Sequence, residues 1–356
     1  MASFHLRLGL VAGAFFAVMG SAAAADYPAP VEGDYVIKDF KFQTGETMPE
    51  MKVHYRTIGD KSGEPVILVH GTNGSGASFL IDGFAGAMFG PGQPLDASKY
   101  YLILPDAIGA GDSSKPSDGM RAKFPRYDYE DMVAAQYALV KDHLGIDHLR
   151  LVMGNSMGGM VTWVWGIDHP DFMDGLVPMA SLPSAMSGRN WMMRRMVIDS
   201  VRSDPAWDGG NYEEQPKNLA VQSVWFGLAT SGGNMRLQEI GATREKADAY
   251  VDEQLAKAKS KDANDTMYQW DASRNFDPAA DLGKIKAPVL AINSADDERN
   301  PPELGVLDAA MKAHSTITAY VIPESPETTG HGTTGSQADL YAEPLKAFMD
   351  KLPEPK

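Results

Sequence analysis

The chain contains no cysteine, so neither disulfide cross-links nor thiol chemistry is available to it. Stability must come from a packed core, and any covalent catalysis needs another nucleophile. Positive charge is scarce too: 32 Lys and Arg stand against 47 Asp and Glu, a formal charge of −15 at pH 7. Such a surface argues against nucleic acid and anionic lipid as partners and favours solubility. Beyond the first 25 residues no apolar run approaches the length of a membrane-spanning helix. Internal repeats and low-complexity tracts are absent as well. What is present is ordinary: 44% hydrophobic and 22% charged residues, enough for a sizeable core in one large domain with an insertion, or in two domains.

The first 25 residues read differently. Arg7 is their only charge, an apolar run extends from Leu8 to Met19, and small residues at Ala23 and Ala25 precede Asp26. This is the grammar of a secretory signal peptide cleaved after Ala25. The run is short for a bilayer span, which disfavours the alternative of an uncleaved anchor. The expectation is a secreted or periplasmic protein with no stable membrane insertion after cleavage.

Tyr35–Phe42 and Met51–Ile58 alternate as an opening antiparallel pair would. Pro65–Val69, Tyr100–Leu104, Leu149–Met153, Gly175–Met179, Val289–Asn293 and Ile317–Ile322 are continuous apolar runs, the pattern of strands covered on both faces. Helical patterns lie between them over Glu130–Leu144, Met157–His169 and Gln337–Lys351. This alternation predicts an α/β fold, a mostly parallel eight-stranded sheet with helices on both faces. It fails from about Leu182 to Leu282, where no clear strand occurs and a polar helix is expected near Thr243–Lys259. The expected organisation is a first core part over 26–182, a helical cap insertion over 183–283 and a second core part over 284–356. The cap should lie over the carboxyl edge of the sheet, where open α/β sheets bind ligands. A separate domain with no part in the site is the alternative.

Gly-Asn-Ser-Met-Gly (154–158) is a G-x-S-x-G sequence, which alone is weak. Its context is not. A strand precedes it, a helix follows, and Gly154, Gly158 and Gly159 leave room for the crossing backbones of a nucleophile elbow. Ser156 would stand at the sheet edge, with the N-terminus of the next helix offering N–H groups to an oxyanion. A serine hydroxyl needs a base, and the base needs an orienting acid, in the chain order Ser, acid, His. His169, His314 and His331 follow Ser156. His169 suits a helix terminus and His314 a solvated helix end, whereas His331 sits in a loop after the last strand. Two acids follow the strand Val289–Asn293, and Pro301 selects Asp297 over its neighbour Asp296. The loop His70–Gly76 after an early strand is the natural source of the second oxyanion donor; the backbone N–H groups of Thr72 and Met157 are the candidates. This chemistry requires no metal and no organic cofactor.

The residues match more than a motif. Gly-Asn-Ser-Met-Gly-Gly-Met (154–160) and Asp-Pro-Ala-Trp-Asp-Gly-Gly-Asn-Tyr (204–212) resemble the elbow and the cap signature of the homoserine O-acetyltransferase family. Phe124-Pro125, Asp131-Met-Val, Gly90-Pro-Gly and Asp297 with Pro301-Pro302 fall at similar places. The resemblance implies the α/β-hydrolase fold with a helical cap, a triad of Ser156, Asp297 and His331, and a homodimer through the cap. Two departures stand out. The family's acidic residue after the catalytic His, which holds the substrate amine, is Gly332 here, and the Arg that clamps the substrate carboxylate has no counterpart in 218–224. A charged amino acid lacking both counter-charges loses most of its discrimination.

Export would also remove the protein from acetyl-CoA, leaving water as the simplest acceptor. The sequence therefore predicts an exported serine hydrolase cleaving a small-molecule carboxylic ester. An O-acyltransferase acting on an alcohol is the alternative, and a binding protein without turnover is the reading from another class. Met186, Met192, Met193 and Met196 read as cap core or dimer interface before acyl pocket. Arg189, Arg194 and Arg195 read as a solvated face.

Overall fold

The computed structural model describes residues 27–354. The expected signal peptide and its cleavage point lie outside them.

Eight strands form one sheet: β1 (Val31–Lys41), β2 (Thr47–Ile58), β3 (Glu64–Val69), β4 (Tyr100–Pro105), β5 (Leu151–Asn155), β6 (Leu176–Met179), β7 (Val289–Ser294) and β8 (Ile317–Ile322). Their order is β1-β2-β4-β3-β5-β6-β7-β8. β1 with β2 and β2 with β4 run antiparallel, and every later pairing is parallel. The continuous apolar runs divide by the two-residue period of a strand. Ile67 and Val69 join one core with Ile103, Val152 and Ala291, while Val66 and Leu68 join a second with Leu102, Met153 and Ile292. Each such aliphatic side chain withdrawn from water contributes roughly 1.5–3 kcal/mol.

Helices cover both cores. α1 (Asp82–Met88) closes the second core with Phe84 and Met88. α2 (Tyr129–Ala138) and α3 (Met157–Asp168) close the first, and Trp165 of α3 donates to Gln136 of α2 at 2.8 Å. The helix expected over Glu130–Leu144 begins as expected but ends differently. Past Ala138 it widens into a π turn over Leu139–His143, and Gly145 at φ +70° terminates it.

Between β6 and β7 the described residues contain no strand. Five helices occupy the interval: α4 (Gly188–Arg202), α5 (Asn218–Thr230), α6 (Asn234–Ile240), α7 (Arg244–Ala258) and α8 (Ala263–Asp271). They enclose a third core of Val197, Ile198, Phe226, Met267 and Trp270. Asp204 closes the connection from α4 to α5, one carboxylate oxygen accepting from Ala206 N–H and the other from Asn218 N–H, each at 3.0 Å. The polar helix expected near Thr243–Lys259 is α7, capped by the Thr243 hydroxyl.

After β7 come α9 (Val306–Ala313), β8, a short α10 (Thr333–Ser336) and α11 (Ala342–Met349). The single helix expected over Gln337–Lys351 does not form. Pro344 has no N–H to give and its ring would meet the carbonyl four residues earlier, so the chain restarts at Ala342, with Pro344 in the first turn.

Candidate active site

Ser156 sits between β5 and α3 with φ +58° and ψ −111°, a conformation that L-residues avoid. The surroundings enforce it. Ser156 N–H donates to the Met179 carbonyl of β6 at 2.9 Å, and α3 starts immediately at Met157. A Cβ on Gly158 would lie 1.8 Å from the Val69 carbonyl oxygen, so no other residue fits where α3 crosses β3. The strain lifts the hydroxyl above the sheet's carboxyl edge, where Ser156 remains 7% exposed.

His331 approaches from the loop after β8. Its Nδ1 lies 2.8 Å from Asp297 Oδ2 and its Nε2 lies 2.8 Å from Ser156 Oγ. A carboxylate accepts only, so Nδ1 carries the proton and donates it to Asp297, leaving Nε2 to accept from the serine hydroxyl. Burial pulls the imidazole pKa below its ordinary 6.5, and the Arg299 and Arg194 charges add to this against the pull of Asp297. The base is therefore neutral near neutral pH. Burial pushes the Asp297 carboxyl up, but the His331 charge and hydrogen bonds from His331, Asn300 and Arg299 outweigh it and hold the carboxyl below its ordinary value. Asn300 is the brace: its Nδ2 donates to Asp297 at 2.9 Å and to the Ala180 carbonyl at 2.8 Å.

Asp296 has a different task. Its carboxylate accepts from Ser294 Oγ, from Thr328 Oγ1 and from the Gly330 N–H, pinning the loop that carries His331 to the end of β7. The other histidines stay away from Ser156. His169 ends α3 and stacks on Tyr137 at 4.0 Å between ring centroids, and His314 ends α9.

Thr72 lies in the loop after β3, whose Gly71 stands against Ser156, and Met157 opens α3. Buried His70 shapes this loop: its Nδ1 donates to the Gly71 carbonyl at 2.7 Å while its Nε2 accepts from Ala107 N–H at 2.9 Å. From the cap, Gln269 Oε1 accepts from Asn73 N–H at 2.6 Å.

The cap also grips the base. His331 N–H donates to the Ser231 carbonyl at 2.7 Å, and a Cβ on Gly232 would lie 1.7 Å from the Asp296 carbonyl oxygen. Both cap contacts therefore bear on the two halves of the site.

The match to known proteins is broad. Residues 64–323, well over half of the chain, match the alpha/beta hydrolase fold family. The chain belongs to that family. It is 29% identical to the homoserine O-acetyltransferase of Haloferax volcanii across 90% of this chain and 89% of that one. Among solved structures, homoserine O-acetyltransferase from Bacillus anthracis superposes with a TM-score of 0.79 at 20% identity, over 92% of this chain and 100% of that one. Esterase E22 gives 0.79 at 18% identity, over 90% and 100%. At such identities the structures speak for the fold alone.

In this α/β hydrolase a cavity of about 440 Å³ opens beside the triad residues, bounded by Asn73, Thr329 and Gly332 below and by Val224, Leu228 and Leu237 of the cap above. None of Met186, Met192, Met193 and Met196 lines it. Met192 and Met196 are exposed on α4, Met193 backs the cap core and Met186 the first sheet core. The solvated arginine face expected on α4 is half right. Arg189 pairs with Glu298 and Arg195 with Asp199, both exposed, but Arg194 is 1% exposed and turns inward.

Among the described residues one group could be read as a metal site, His54 with Asp106 and Asp112. The Arg56 guanidinium already supplies the cation there, 3.0 Å from Asp106 and 3.8 Å from Asp112. Sequence reasoning missed Asn300, His70, Gln269 and the Ser231–Gly233 contact. Only the Gly232-Gly233 pair carried a signal, as an unusual tight turn inside a helical region.

Proposed function

We propose that this α/β hydrolase moves an acyl group through a covalent ester on Ser156, delivering it to an alcohol as an O-acyltransferase. The observation that carries the reading is the unbroken chain from Ser156 Oγ through His331 to Asp297, with both links at 2.8 Å. Ser156 Oγ attacks the acyl carbonyl as His331 Nε2 takes its proton, and the oxyanion meets the N–H groups of Thr72 and Met157. The bond to the leaving group then breaks as His331 returns the proton to it, leaving acyl-Ser156. An acceptor hydroxyl, deprotonated by His331, attacks the ester and restores the serine.

The sequence alone put water first as acceptor. The curated relatives are named for transfer to homoserine, and that supports an alcohol over water. Hydrolysis stays as the second reading on two specific observations: Gly332 beside the base and the arginine-free stretch 218–224, where a transferase would hold its amino-acid acceptor. Esterase E22, of similar shape, is consistent with it. Residues 1–25 fit either reading as a signal peptide, and a mature N-terminus at Asp26 is the expected result of N-terminal sequencing.

Ser156→Ala should cut turnover of 4-nitrophenyl acetate by up to about a millionfold; unchanged turnover sinks the acyl-enzyme. Mass spectrometry of wild-type reactions containing homoserine, serine or glycerol measures the partition. Acetylated alcohol in excess of acetate supports the transferase, and acetate alone supports the hydrolase.

A further inference from the structure

The cavity under the cap has a charge pattern that the rest of the chain does not. Acidic residues dominate overall, 47 Asp and Glu against 32 Lys and Arg. Yet the charged side chains lining the cavity are Arg236, Lys257 and Lys261, and no Asp or Glu is among its lining residues. Much of the remaining wall is apolar, with Val224 and Leu228 from α5 and Leu237 and Ile240 from α6. At about 440 Å³ the cavity falls within the range of small-molecule sites.

The three cations are not equally free. Arg236 pairs with Glu239 of its own helix at 2.8 Å, and Lys257 pairs with Glu253 of α7, all four side chains being exposed. Lys261, in the turn between α7 and α8, forms no ion pair among the described residues, and its Nζ donates to the Asn73 carbonyl at 3.3 Å. The carboxylates that follow it in the chain are taken. Asp262 accepts from the Tyr212 hydroxyl at 2.7 Å and from Gln215 Nε2 at 2.8 Å, and Asp265 accepts from the Ser117 hydroxyl at 2.6 Å and its N–H at 2.9 Å. Both line a separate hollow on the other side of Lys261, not this cavity. Lys261 thus has a long contact to a neutral carbonyl where a carboxylate would bind it more strongly.

This cation stands close to the chemistry. Asn73, whose carbonyl it holds, follows Thr72 directly, and Thr329 and Gly332 lie on either side of His331. The cavity is therefore floored by the two loops that carry the oxyanion donor and the base. At the base a leaving alcohol collects its proton and an accepting alcohol gives one up. An ammonium group in this cavity would meet three cations and no carboxylate, and Gly332 offers no side chain to hold it. A carboxylate would meet Lys261. One unpaired positive charge matches a single negative charge, which favours a carboxylate over a dianionic phosphate.

We propose that the cavity receives the alcohol portion of the substrate, that this alcohol is a small hydroxy acid without an amino group, and that Lys261 holds its carboxylate. Arg236 and Lys257 add positive charge at the rim, and the apolar wall of α5 and α6 takes the carbon chain between carboxylate and hydroxyl. This rests on the acyl-enzyme reading above and specifies the alcohol that reading leaves open. It also gives the two departures from the homoserine pattern one cause. With no amine to hold, no acid is needed at position 332, and the carboxylate is held from outside 218–224.

The test compares three acetyl esters of matched chain length with the purified protein, glycerol being present as a neutral acceptor: 4-acetoxybutanoate, its amino counterpart O-acetylhomoserine, and butyl acetate. Loss of each ester is followed by mass spectrometry. Wild type should favour 4-acetoxybutanoate over butyl acetate by about fivefold in kcat/KM, the upper end of what a partly exposed ion pair supplies. It should favour it over O-acetylhomoserine as well. Raising the salt from about 0.05 M to about 1 M should shrink the first ratio. Lys261 is exposed, so its variants should fold; Lys261→Met should remove most of that ratio and Lys261→Arg keep it. A wild-type ratio at or below one, a preference for O-acetylhomoserine, or a ratio untouched by Lys261→Met overturns the assignment. So does a Lys261→Met loss that falls equally on all three esters, which would make Lys261 a prop for the Asn73 loop. Turnover of all three without charge preference defeats Lys261 alone. No turnover of any ester, with Ser156 unlabelled by a fluorophosphonate, defeats the acyl-enzyme itself.

Discussion

The two surfaces that meet at Ser156 are built on different rules. On the sheet side, the polar side chains of the triad are all engaged: Ser156 to His331, His331 to Asp297, Asp297 to Asn300 and to the Arg299 backbone. On the cap side, Gln269 Nε2 and Arg194 Nη1 are buried without a hydrogen-bond partner among the described residues. The triad's own hydrogen bonds are complete, and those of the Thr72 loop and of the cap residue Gln269 that faces it are not. Satisfied polar networks rigidify a site, whereas each unpaired buried polar group is costly. The hydrogen-bonded chain thus lies at the sheet's carboxyl edge, and the open cavity lies under the cap.

That division is open to attack from the sheet side first. Asp297→Asn keeps the shape but offers His331 a donor where it needs an acceptor, favouring the wrong tautomer. The expected loss in kcat is about ten-thousandfold, for every ester alike. A loss that depended on the acyl group would break the comparison, and steady-state kinetics on a neutral and an anionic ester measure it. Gln269→Ala comes next, releasing the Asn73 N–H and the loop beside Ser156. We expect a loss of roughly tenfold, the value of one buried hydrogen bond, falling on kcat with thermal stability largely kept. An equal fall in melting temperature and activity would make Gln269 a structural strut only.

The smallest effect is on pH. Catalysis needs neutral His331, whose pKa lies below its ordinary 6.5 because of burial and then Arg299 and Arg194. The acid limb of kcat/KM should accordingly fall below that value. Burial also draws the Arg299 guanidinium down to about 10, which leaves it charged through the working range. Arg299→Gln removes one repelling charge, so imidazolium becomes easier to form and the limb moves to higher pH. A limb that stays put, read from a pH–rate profile, would show that burial alone sets this base.

Legibility followed the same line. The sheet announced itself because buried parallel strands are continuous apolar runs, and the elbow because the glycines that admit the crossing backbones of β3 and β6 stand only two or three residues from Ser156. Asp297 was separable from Asp296 by Pro301 alone, although the two carboxylates do unlike work. The cap was legible only as a failure of alternation. Arg194 looked like its neighbours Arg189 and Arg195, since helical spacing states which residues share a face but not which face a distant Trp270 will cover. Asn300, His70 and Gln269 act through contacts with residues far along the chain or through loop backbone, and no local pattern carries such contacts. The break before α11 is written in Pro344, against an apolar period that by itself argues for one helix.

The seat of the Ser231 carbonyl on the His331 N–H has a consequence for how this scaffold tolerates change. A shortened or transplanted cap that lost residues 231–233 would leave the nucleophile standing in its strained turn, yet set the base adrift. The outer helix α7 has no fully buried residue, yet its Tyr250, Gln254 and Lys257 line the cavity beside the triad. The insertion is therefore two things in one stretch of chain: a wall of the cavity along α5 and α7, and at its root a missing piece of the sheet's own edge.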